Sequence, residues 1–484
     1  MLRRVSLWLL FVSIGCSLAG GATDKPKPQP KDDYYELYKV LVDTMDQVER
    51  NYVKEVDRRE LIESAIKGVL GKLDPYSSYI PPDELSRFRA TVDSEFGGIG
   101  IQIGVEGGQL KILSPLAGTP AYRAGLLAGD RIVAIEGKST EGINIDDAVA
   151  RLKGKEGTKI TITVIHPGRS DKLEVTLTRE KIHVETVLGD RRKADDAWDF
   201  MYDAKQRIGY LRVTAFSRDT AAELRRALEQ LKGEKMRGLI LDLRFNPGGL
   251  LSSAIEVSNL FISKGRIVST KGRNSPERVW DAQKNGAYEG FPMVILVNRY
   301  SASASEIVSA CLQDHKRAVV VGERTWGKGS VQNVVELENG RSALKLTTAS
   351  YRRPSGKNIH RFEDAKEADE WGVTPDKGFD LKLGDSEMVN LLEDRRRRDV
   401  LQPHDPPEGE PEAEKKPEAK ANGNGKATEP PAPKTNGKPP AEKPPAEKPA
   451  AKDKPGTGLD EPPFVDRQLQ MAVKYLTGQL ARSK

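Results

Sequence analysis

The chain has few cysteines, histidines and aromatic residues, and it has no long uninterrupted apolar run. Among its 484 residues there are 2 cysteines and 5 histidines, and the hydrophobic fraction is 37%. The cysteines are Cys16, near the amino terminus, and Cys311, in an apolar stretch that predicts a buried core position. We therefore expect no disulfide framework. The low apolar fraction predicts that part of the chain does not fold, although its length suffices for two or three domains.

The charges nearly balance. The chain carries 77 basic and 71 acidic residues, a formal net charge of +6. The basic residues do not gather with aromatic residues into a patch of the kind that follows a nucleic-acid backbone. The sequence therefore predicts no nucleic-acid partner.

The first 22 residues have the pattern of an export signal. Arg3 and Arg4 precede an apolar run from Val5 to Ile14, and small residues follow that run. The run is too short to span a bilayer, so we expect an exported protein of the periplasm or cell envelope. Two alternatives stay open for Cys16, which is either lipidated at the new amino terminus or removed with the leader. A leader or a lipid anchor would be the sole membrane attachment.

The composition and the hydrophobic pattern change along the chain and predict six segments. Near-continuous apolar strands alternate with helices in the fourth segment, which predicts a largely parallel α/β sheet. The fifth holds 16 of the 30 prolines and no Phe, Trp or Tyr, which predicts a disordered tether. A helix after such a tether is expected to dock on another surface. The segments are a signal peptide at 1–22, an N-terminal helical region at 33–92, a β-rich module at 93–182, an α/β core at 183–385, the Pro-rich linker at 402–463 and a C-terminal helix at 464–484.

A serine cluster and a lysine between two glycines carry the chemistry. Ser301, Ser303 and Ser305 stand where a strand is predicted to give way to a helix, and Lys328 follows the next strand. In a parallel sheet these places are neighbours. A lysine whose charged form is disfavoured by burial can take the proton from a serine hydroxyl. The pattern alone does not choose among the three serines. His315 is the histidine nearest to them in sequence, but it lies at the far end of the same predicted helix.

A nucleotide-binding loop is the rival interpretation of the lysine. Gly322 to Lys328 matches G-x-x-x-x-G-K, and the strand ending at Asp242 imitates one that holds magnesium. Gly329, however, stands where Ser or Thr is expected, and the carboxylate strand precedes the loop instead of following it. This rival is therefore disfavoured.

Three motifs resemble the signature of the carboxyl-terminal processing proteases, also called tail-specific proteases. They are DLRFNPGG, SASASE and GERTWGKGSVQ. The resemblance implies a crotonase-like or ClpP-like α/β protease core, a PDZ domain, and a Ser-Lys endopeptidase that needs no cofactor or metal. By position it implies Ser303 as nucleophile, Lys328 as general base and Gln332 as the residue that orients the lysine. The amides of Gly248 and Ala304 would form the oxyanion hole.

Two acidic residues also match the family pattern. For Glu306 and Asp314, helix capping or salt-bridging explains an acidic side chain at least as well as chemistry does. They are therefore not included in the predicted site.

The β-rich module resembles a PDZ domain inserted before the protease core. Gly98, Ile99, Gly100 and Ile101 resemble the loop whose amides bind a peptide carboxylate. The resemblance implies protein substrates with apolar C-termini, bound as an added strand. Side chains of the module that could line a pocket for the last substrate residue are Ile101, Ile103, Ala148 and Leu152, and each is equally explained as module core.

The resemblance covers roughly Asp33 to Leu383. The charged stretch Arg361 to Glu370 departs from the family pattern as an insertion, which either shapes access to the site or is simply solvated. The family also suggests a homodimer through the terminal helices and an adaptor or activator partner. A PDZ adaptor with an inactive protease core is the non-enzymatic alternative, although no required residue is missing.

Overall fold

The computed structural model describes residues 31–85, 88, 95–284, 288–401 and 464–482. The predicted signal peptide with Cys16 and the predicted linker at 402–463 lie outside these residues. Within the described parts of the chain, no helix combines the length and the apolarity that crossing a bilayer requires.

The N-terminal region is helical and is attached to the core by a short strand. The Asp57 carboxylate accepts a hydrogen bond from Glu60 N at 2.9 Å and so caps the second helix. The short strand, Ser78–Ile80, pairs antiparallel with residues Ala343 to Lys345 of the core. The elements are α1 (Lys31–Asn51), α2 (Arg58–Leu70) and β1 (Ser78–Ile80).

The β-rich module forms its own sheet and its own hydrophobic core. Its elements are β2 (Glu95–Gly98), β3 (Ile101–Glu106), β4 (Gln109–Pro115), α3 (Pro120–Arg123), β5 (Arg131–Ile135), β6 (Lys138–Ser139), α4 (Ile145–Leu152), β7 (Lys159–Ile165), β8 (Leu173–Thr178) and β9 (Glu180–His183). The sheet order is β3-β4-β5-β7-β8, with β6 on β5, and β2 pairs with β9. Strand β3 is therefore an edge strand of the larger sheet, beside α4.

The α/β core contains the remaining elements. They are β10 (Val187–Leu188), β11 (Arg191–Arg192), β12 (Trp198–Asp199), β13 (Met201–Asp203), β14 (Ile208–Val213), α5 (Thr220–Gly233), β15 (Gly238–Asp242), α6 (Leu251–Asn259), β16 (Arg266–Lys271), β17 (Arg278–Asp281), β18 (Met293–Val297), α7 (Ala304–Asp314), β19 (Val319–Gly322), β20 (Ser330–Leu337), a 3-10 turn (Glu338–Gly340), β21 (Ser342–Arg352), α8 (Asp385–Asp399) and α9 (Arg467–Arg482).

The predicted parallel sheet is confirmed. Strands β14, β15, β18 and β19 pair in that order and in parallel. Side chains alternate between its two faces: Leu241 and Ile295 pack with α5, α6 and α7, whereas Ile240 and Leu296 face the other side. Cys311 is fully buried in the first of these clusters, where burial raises the pKa of its thiol to about 12.

The C-terminal helix covers the second face of this sheet, so the expectation that it docks is confirmed. Leu469, Ala472, Leu476 and Leu480 of α9 pack against the sheet. Just before the helix, Asp466 Oδ2 accepts a hydrogen bond from Arg244 Nη2 at 2.7 Å.

A second sheet, in the order β1-β21-β16-β17 with β20 on β21, lies beside the first. The helix α8 follows it, in a stretch that the predicted segments leave largely unassigned. Arg395 of α8 pairs with buried Asp242, and Arg396 pairs with Glu106 of β3 at 2.7 Å. This helix therefore links the core to the edge strand of the β-rich module.

Candidate active site

Ser303 occupies the junction between β18 and α7 in a backbone conformation that is rare for a residue with a side chain. Its φ is +54° and its ψ is −112°, a combination that costs about 1–3 kcal/mol for a residue other than glycine. The Ser303 N–H donates to Glu306 Oε2 at 2.8 Å, which helps to hold this turn. The side chain stays partly exposed at the start of the helix.

The other two serines of the cluster are structural. Ser301 and Ser305 are both 0% exposed. Ser301 Oγ donates to the carbonyl of Leu243 at 2.8 Å, and Ser305 Oγ donates to that of Asn246 at 3.0 Å. A buried hydroxyl that already donates to a carbonyl cannot attack a substrate without losing that bond. The geometry therefore favours Ser303, which the residue pattern alone did not.

The turn after β15 packs directly against Ser303. Gly248 has a φ of +102°, and a Cβ at this position would lie 2.7 Å from Ser303 Cβ and 2.9 Å from Ala304 N. Only glycine permits so close an approach in this conformation. Ala304 N–H opens α7, where the positive end of the helix dipole favours negative charge. The structure thus places Gly248 and Ala304, the residues that carry the predicted oxyanion amides, next to Ser303.

The Gly248 amide is already engaged, by a residue to which the sequence assigned no role. Gly248 N donates to Asn246 Oδ1 at 2.8 Å. Asn246 is 0% exposed, and its Nδ2 donates to the Val213 carbonyl at 2.8 Å. Its own carbonyl accepts a bond from Ala302 N at 3.0 Å. Asn246 therefore joins the turn of Gly248 to the serine loop, and its position within DLRFNPGG was the available signal.

Lys328 lies in the loop between β19 and β20. The chain at His360 passes so close to this loop that a Cβ on Gly329 would lie 2.2 Å from His360 N. Lys328 Nζ lies over the ring of Tyr76, 5.1 Å from its centroid. Burial, and then the nearby Lys345, lowers the pKa of Lys328, while Glu306 opposes the shift. The direction is the one that a lysine base needs.

The expected contact between Gln332 and Lys328 is not made. Strand β20 pairs with β21 in a register that sets Gln332 opposite Thr347. Gln332 Nε2 accordingly donates to Thr347 Oγ1 at 3.2 Å and to Ser330 Oγ at 2.8 Å. Within the described residues, no hydrogen bond joins Lys328 Nζ to Gln332 or to Ser303.

Glu306, which was not included in the predicted site, connects the serine turn to the lysine loop. Its carboxylate is 0% exposed and accepts hydrogen bonds from four groups. These are Ser303 N at 2.8 Å, Thr325 Oγ1 at 2.5 Å, Gly327 N at 2.6 Å and Lys328 N at 2.8 Å. The serine turn and the lysine loop are thus bonded to one side chain.

Burial raises the pKa of Glu306 to about 7, although the four donors favour its charged form. The signal for this residue was the spacing of Ser303 and Glu306, a capping-box pattern at a helix start. Capping alone explains the bond to Ser303 N. It does not predict the bonds to the lysine loop, because these come from a distant part of the chain.

The rival nucleotide-binding interpretation is wrong. A phosphate loop joins a strand to the N-terminus of a helix, whose amides bind the phosphates. Here the loop that holds Lys328 runs from β19 into another strand, β20. His315 ends α7, where its Nε2 lies 2.7 Å from the Arg266 carbonyl. Within the residues that the structure covers, no cluster of His, Cys, Asp or Glu is suited to a metal ion.

The predicted carboxylate loop, Gly98 to Ile101, leads into the edge strand β3. The carbonyls of Ile99 and Gly100 each accept a backbone hydrogen bond of 2.9 Å from the segment after β4, where the donors are Ala121 N and Leu116 N. A peptide added beside β3 would find an unpaired strand edge. Ala148 and Leu152 are 0% and 5% exposed and belong to the module core.

Three family models match the chain. Peptidase family S41 matches residues 207–377, and a PDZ domain model matches residues 111–165. A model described as the activating protease CtpB N-terminal domain matches residues 19–83.

Curated relatives match over most of the chain. The carboxy-terminal-processing protease of Bartonella bacilliformis is 37% identical over 416 residues, which cover 82% of this chain and 90% of that protein. The carboxy-terminal processing protease CtpA of Bacillus subtilis is 37% identical over 354 residues, which cover 73% of this chain and 71% of that protein. Among solved structures, the photosystem II D1 C-terminal processing protease is 29% identical with a TM-score of 0.41, covering 75% of this chain and 90% of that one.

Proposed function

The chain belongs to the carboxy-terminal processing proteases of peptidase family S41, and we propose that Ser303 and Lys328 are its catalytic dyad. The family makes it a serine protease with a PDZ domain. The observation that carries the proposal is the turn at Ser303. One partly exposed serine stands at a helix N-terminus, beside Ala304 N, with its backbone bonded to the carboxylate that also holds the lysine loop.

The proposed reaction proceeds through an acyl-enzyme. Neutral Lys328 takes the proton of Ser303 Oγ as that oxygen attacks the scissile carbonyl carbon. The oxyanion of the tetrahedral intermediate accepts hydrogen bonds from Ala304 N and Gly248 N. The lysine ammonium then gives its proton to the leaving amine, and the peptide C–N bond breaks. In the second half a water transfers a proton to Lys328, its oxygen attacks the ester, and Ser303 recovers its proton.

Two rearrangements have to precede this reaction. Lys328 Nζ must move from the Tyr76 ring to Ser303, because a base has to be within hydrogen-bond reach of the proton that it takes. Gly248 N–H must exchange Asn246 Oδ1 for the oxyanion. Gln332 would orient the lysine only if its amide left Thr347 and Ser330. The described conformation therefore corresponds to a resting site in this proposal.

We infer that substrates are proteins with apolar C-termini, captured at the loop Gly98 to Ile101 and along β3. The unpaired edge of β3 supports strand addition. Glu106, at the end of β3, is paired with Arg396 of α8, which gives the captured end a connection to the core. An adaptor or activator protein that acts on the module is therefore a further expected partner.

The protein is proposed to act outside the cytoplasm, in the periplasm or the cell envelope, with Cys16 as the site of a lipid anchor if one is present. The apolar face of α9 is already buried on the sheet. A homodimer through the terminal helices would therefore rely on α1, where Tyr35 is 72% and Leu37 67% exposed.

The test is cleavage of a protein substrate with an apolar C-terminus. We expect Ser303→Ala and Lys328→Ala each to abolish cleavage without changing the thermal unfolding midpoint by more than a few degrees. Ser386→Ala and Lys377→Ala are matched controls, because both side chains are exposed and lie outside the site. Full proteolysis by purified Lys328→Ala would refute the dyad. An inactive wild type that still binds the peptide would favour the adaptor alternative.

A further inference from the structure

A cavity of about 670 Å³ is lined by Gly327 and Ser330, which flank Lys328 in the sequence. Its wall combines the N-terminal region, the lysine loop and the beginning of the charged stretch. The residues that matter here are Tyr76, Trp326, Gly327, His360, Arg361 and Phe362. Of these, Tyr76 also lies under Lys328 Nζ, so a residue from outside the α/β core reaches the proposed base.

Several contacts fix the Tyr76 ring in this place. Tyr76 N donates to Asp74 Oδ1 at 2.7 Å, and the same oxygen accepts a bond from Thr347 Oγ1 of β21 at 3.2 Å. Trp326 Nε1 donates to the Tyr76 hydroxyl at 3.2 Å. The segment continues directly into β1, which is paired with β21. The ring is therefore part of the framework of the site.

An aromatic ring discriminates between the two protonation states of a lysine. The negative face of the ring attracts an ammonium within about 6 Å of its centroid, whereas it gains little from a neutral amine. A ring in this position favours the charged form of the lysine, and a charged lysine cannot accept the serine proton. The same contact also keeps Nζ from bonding to Ser303.

We propose that Tyr76 is a positioning residue, whose ring holds protonated Lys328 in a resting position that the lysine leaves to reach Ser303. The inference rests on the proposed role of Lys328 as base. It assigns to the N-terminal region a direct part in setting when that base is available.

Other charged groups also lie near Lys328. Glu306 and Lys345 face it with opposite charges. The Asp74 carboxylate already accepts bonds from Tyr76, Ser77 and Thr347. Burial lowers the pKa of His360, which favours its neutral ring. The remaining titratable or charged residues that line the cavity are Arg273, Arg361 and Glu363.

A series of substitutions at Tyr76 tests the proposal without requiring turnover. Each variant is made in full-length Ser303→Ala protein, and the rate at which acetic anhydride acetylates Lys328 is followed against pH by peptide mass spectrometry. Only the neutral amine reacts, so the profile gives the apparent pKa of Lys328. We expect Tyr76→Leu to lower it by about 0.5–1 unit, a three- to tenfold shift in the protonation equilibrium. Tyr76→Phe should leave it unchanged, and Tyr76→Trp should raise it.

Phe362→Leu is the matched control, because Phe362 lines the same cavity and is 56% exposed. It should leave the labelling profile unchanged. An equal Lys328 pKa in the Leu, Phe and Trp variants would overturn the proposal. If Tyr76→Leu does not fold, the comparison of Phe with Trp decides.

The same series in the active protein separates this inference from the proposed function. The acid limb of the kcat/KM profile should move with the labelling pKa. A labelling shift with an unmoved limb would show that Lys328 is held by Tyr76 but does not act as the base, which overturns the positioning role. Absence of cleavage by the wild type would instead refute the proposed function, and the labelling result would then still report on the contact.

Discussion

Replacing Glu306 with glutamine should disable the site, because all four of its partners donate hydrogen bonds. Three partners are backbone N–H groups. The fourth, Thr325 Oγ1, accepts a bond from Val373 N at 2.7 Å and so directs its own proton to the carboxylate. A glutamine carbonyl can replace one carboxylate oxygen. Its NH₂ group must then face two donors, either Ser303 N and Lys328 N or Gly327 N and Thr325 Oγ1.

The magnitude follows from the bonds that are lost. A hydrogen bond to a charged group contributes about 1.5–3 kcal/mol, and a buried donor left without a partner costs about 1–3 kcal/mol. Two such losses at the turn of Ser303 or the loop of Lys328 displace the proposed nucleophile or the proposed base. We expect kcat/KM to fall by at least about a hundredfold, which corresponds to about 2.7 kcal/mol of transition-state stabilisation.

The assay compares Glu306→Gln with Glu223→Gln by steady-state cleavage and by calorimetry. Glu223 is the matched control, since it is 7% exposed and accepts bonds from Thr186 N at 2.8 Å and Val187 N at 3.1 Å, outside the site. Both variants should lose stability, whereas only Glu306→Gln should lose kcat.

The pH profile gives a second readout. Burial raises the pKa of Glu306 to about 7, so above that pH all four donors meet an ionised carboxylate. As the pH falls, the added proton opposes the two donors on one of the oxygens. A Glu306→Gln enzyme with wild-type kcat/KM and a wild-type pH profile would refute this reasoning.

Two further predictions concern the framework of the site. Asp242→Asn weakens the pairing of two buried guanidinium groups, Arg244 and Arg395, and should lower the free energy of unfolding in urea by about 3–5 kcal/mol. Burial alone would raise the pKa of Asp242, but the two arginines outweigh it and hold this pKa well below its usual range. The contribution of ionised Asp242 to the free energy of unfolding should therefore be present above about pH 3.9 and be lost only as the pH falls below that value. An unchanged urea midpoint in Asp242→Asn would contradict the pairing argument. Leu476→Ala removes a side chain that is 0% exposed on the sheet and should lower the free energy of unfolding by about 2–5 kcal/mol. The control Leu392→Ala, at a site that is 46% exposed, should lower it by about 0.5 kcal/mol or less. Equal losses would mean that α9 does not stabilise the core.

The parallel sheet could be predicted because its strands are buried on both faces. Adjacent residues such as Ile240 and Leu241 pack in opposite directions, so the sequence shows a continuous apolar run. The helix α8 was missed because its last turns carry four consecutive arginines and no apolar period. Its first turns pack through buried Met388 and Leu391. Its last turns pair with Asp242 and Glu106, which lie far away in the sequence.

The site itself could be predicted in its residue types but not in its contacts. Ser303 was singled out only by resemblance, since exposure and backbone conformation are not readable from three similar serines. Tyr76 and Trp326 meet across 250 positions of the sequence. The position of Gln332 matches the family pattern, but strand register directs its amide to Thr347, so its role in orienting Lys328 stays a prediction.

The charges around Lys328 indicate that the fall of activity at low pH should not depend on the titration of the lysine alone. Glu306 favours the charged lysine and Lys345 opposes it, while burial favours the neutral amine. Protonation of Glu306 removes the nearby negative charge, which by itself would make Lys328 easier to deprotonate. The same protonation puts a proton on one carboxylate oxygen, where it opposes the two donors bound there. It therefore weakens the contact between the serine turn and the lysine loop. The two effects act in opposite directions, and the geometric one dominates because a base that is out of reach cannot act at any pKa. Activity below about pH 7 should therefore fall more steeply than one titrating lysine allows.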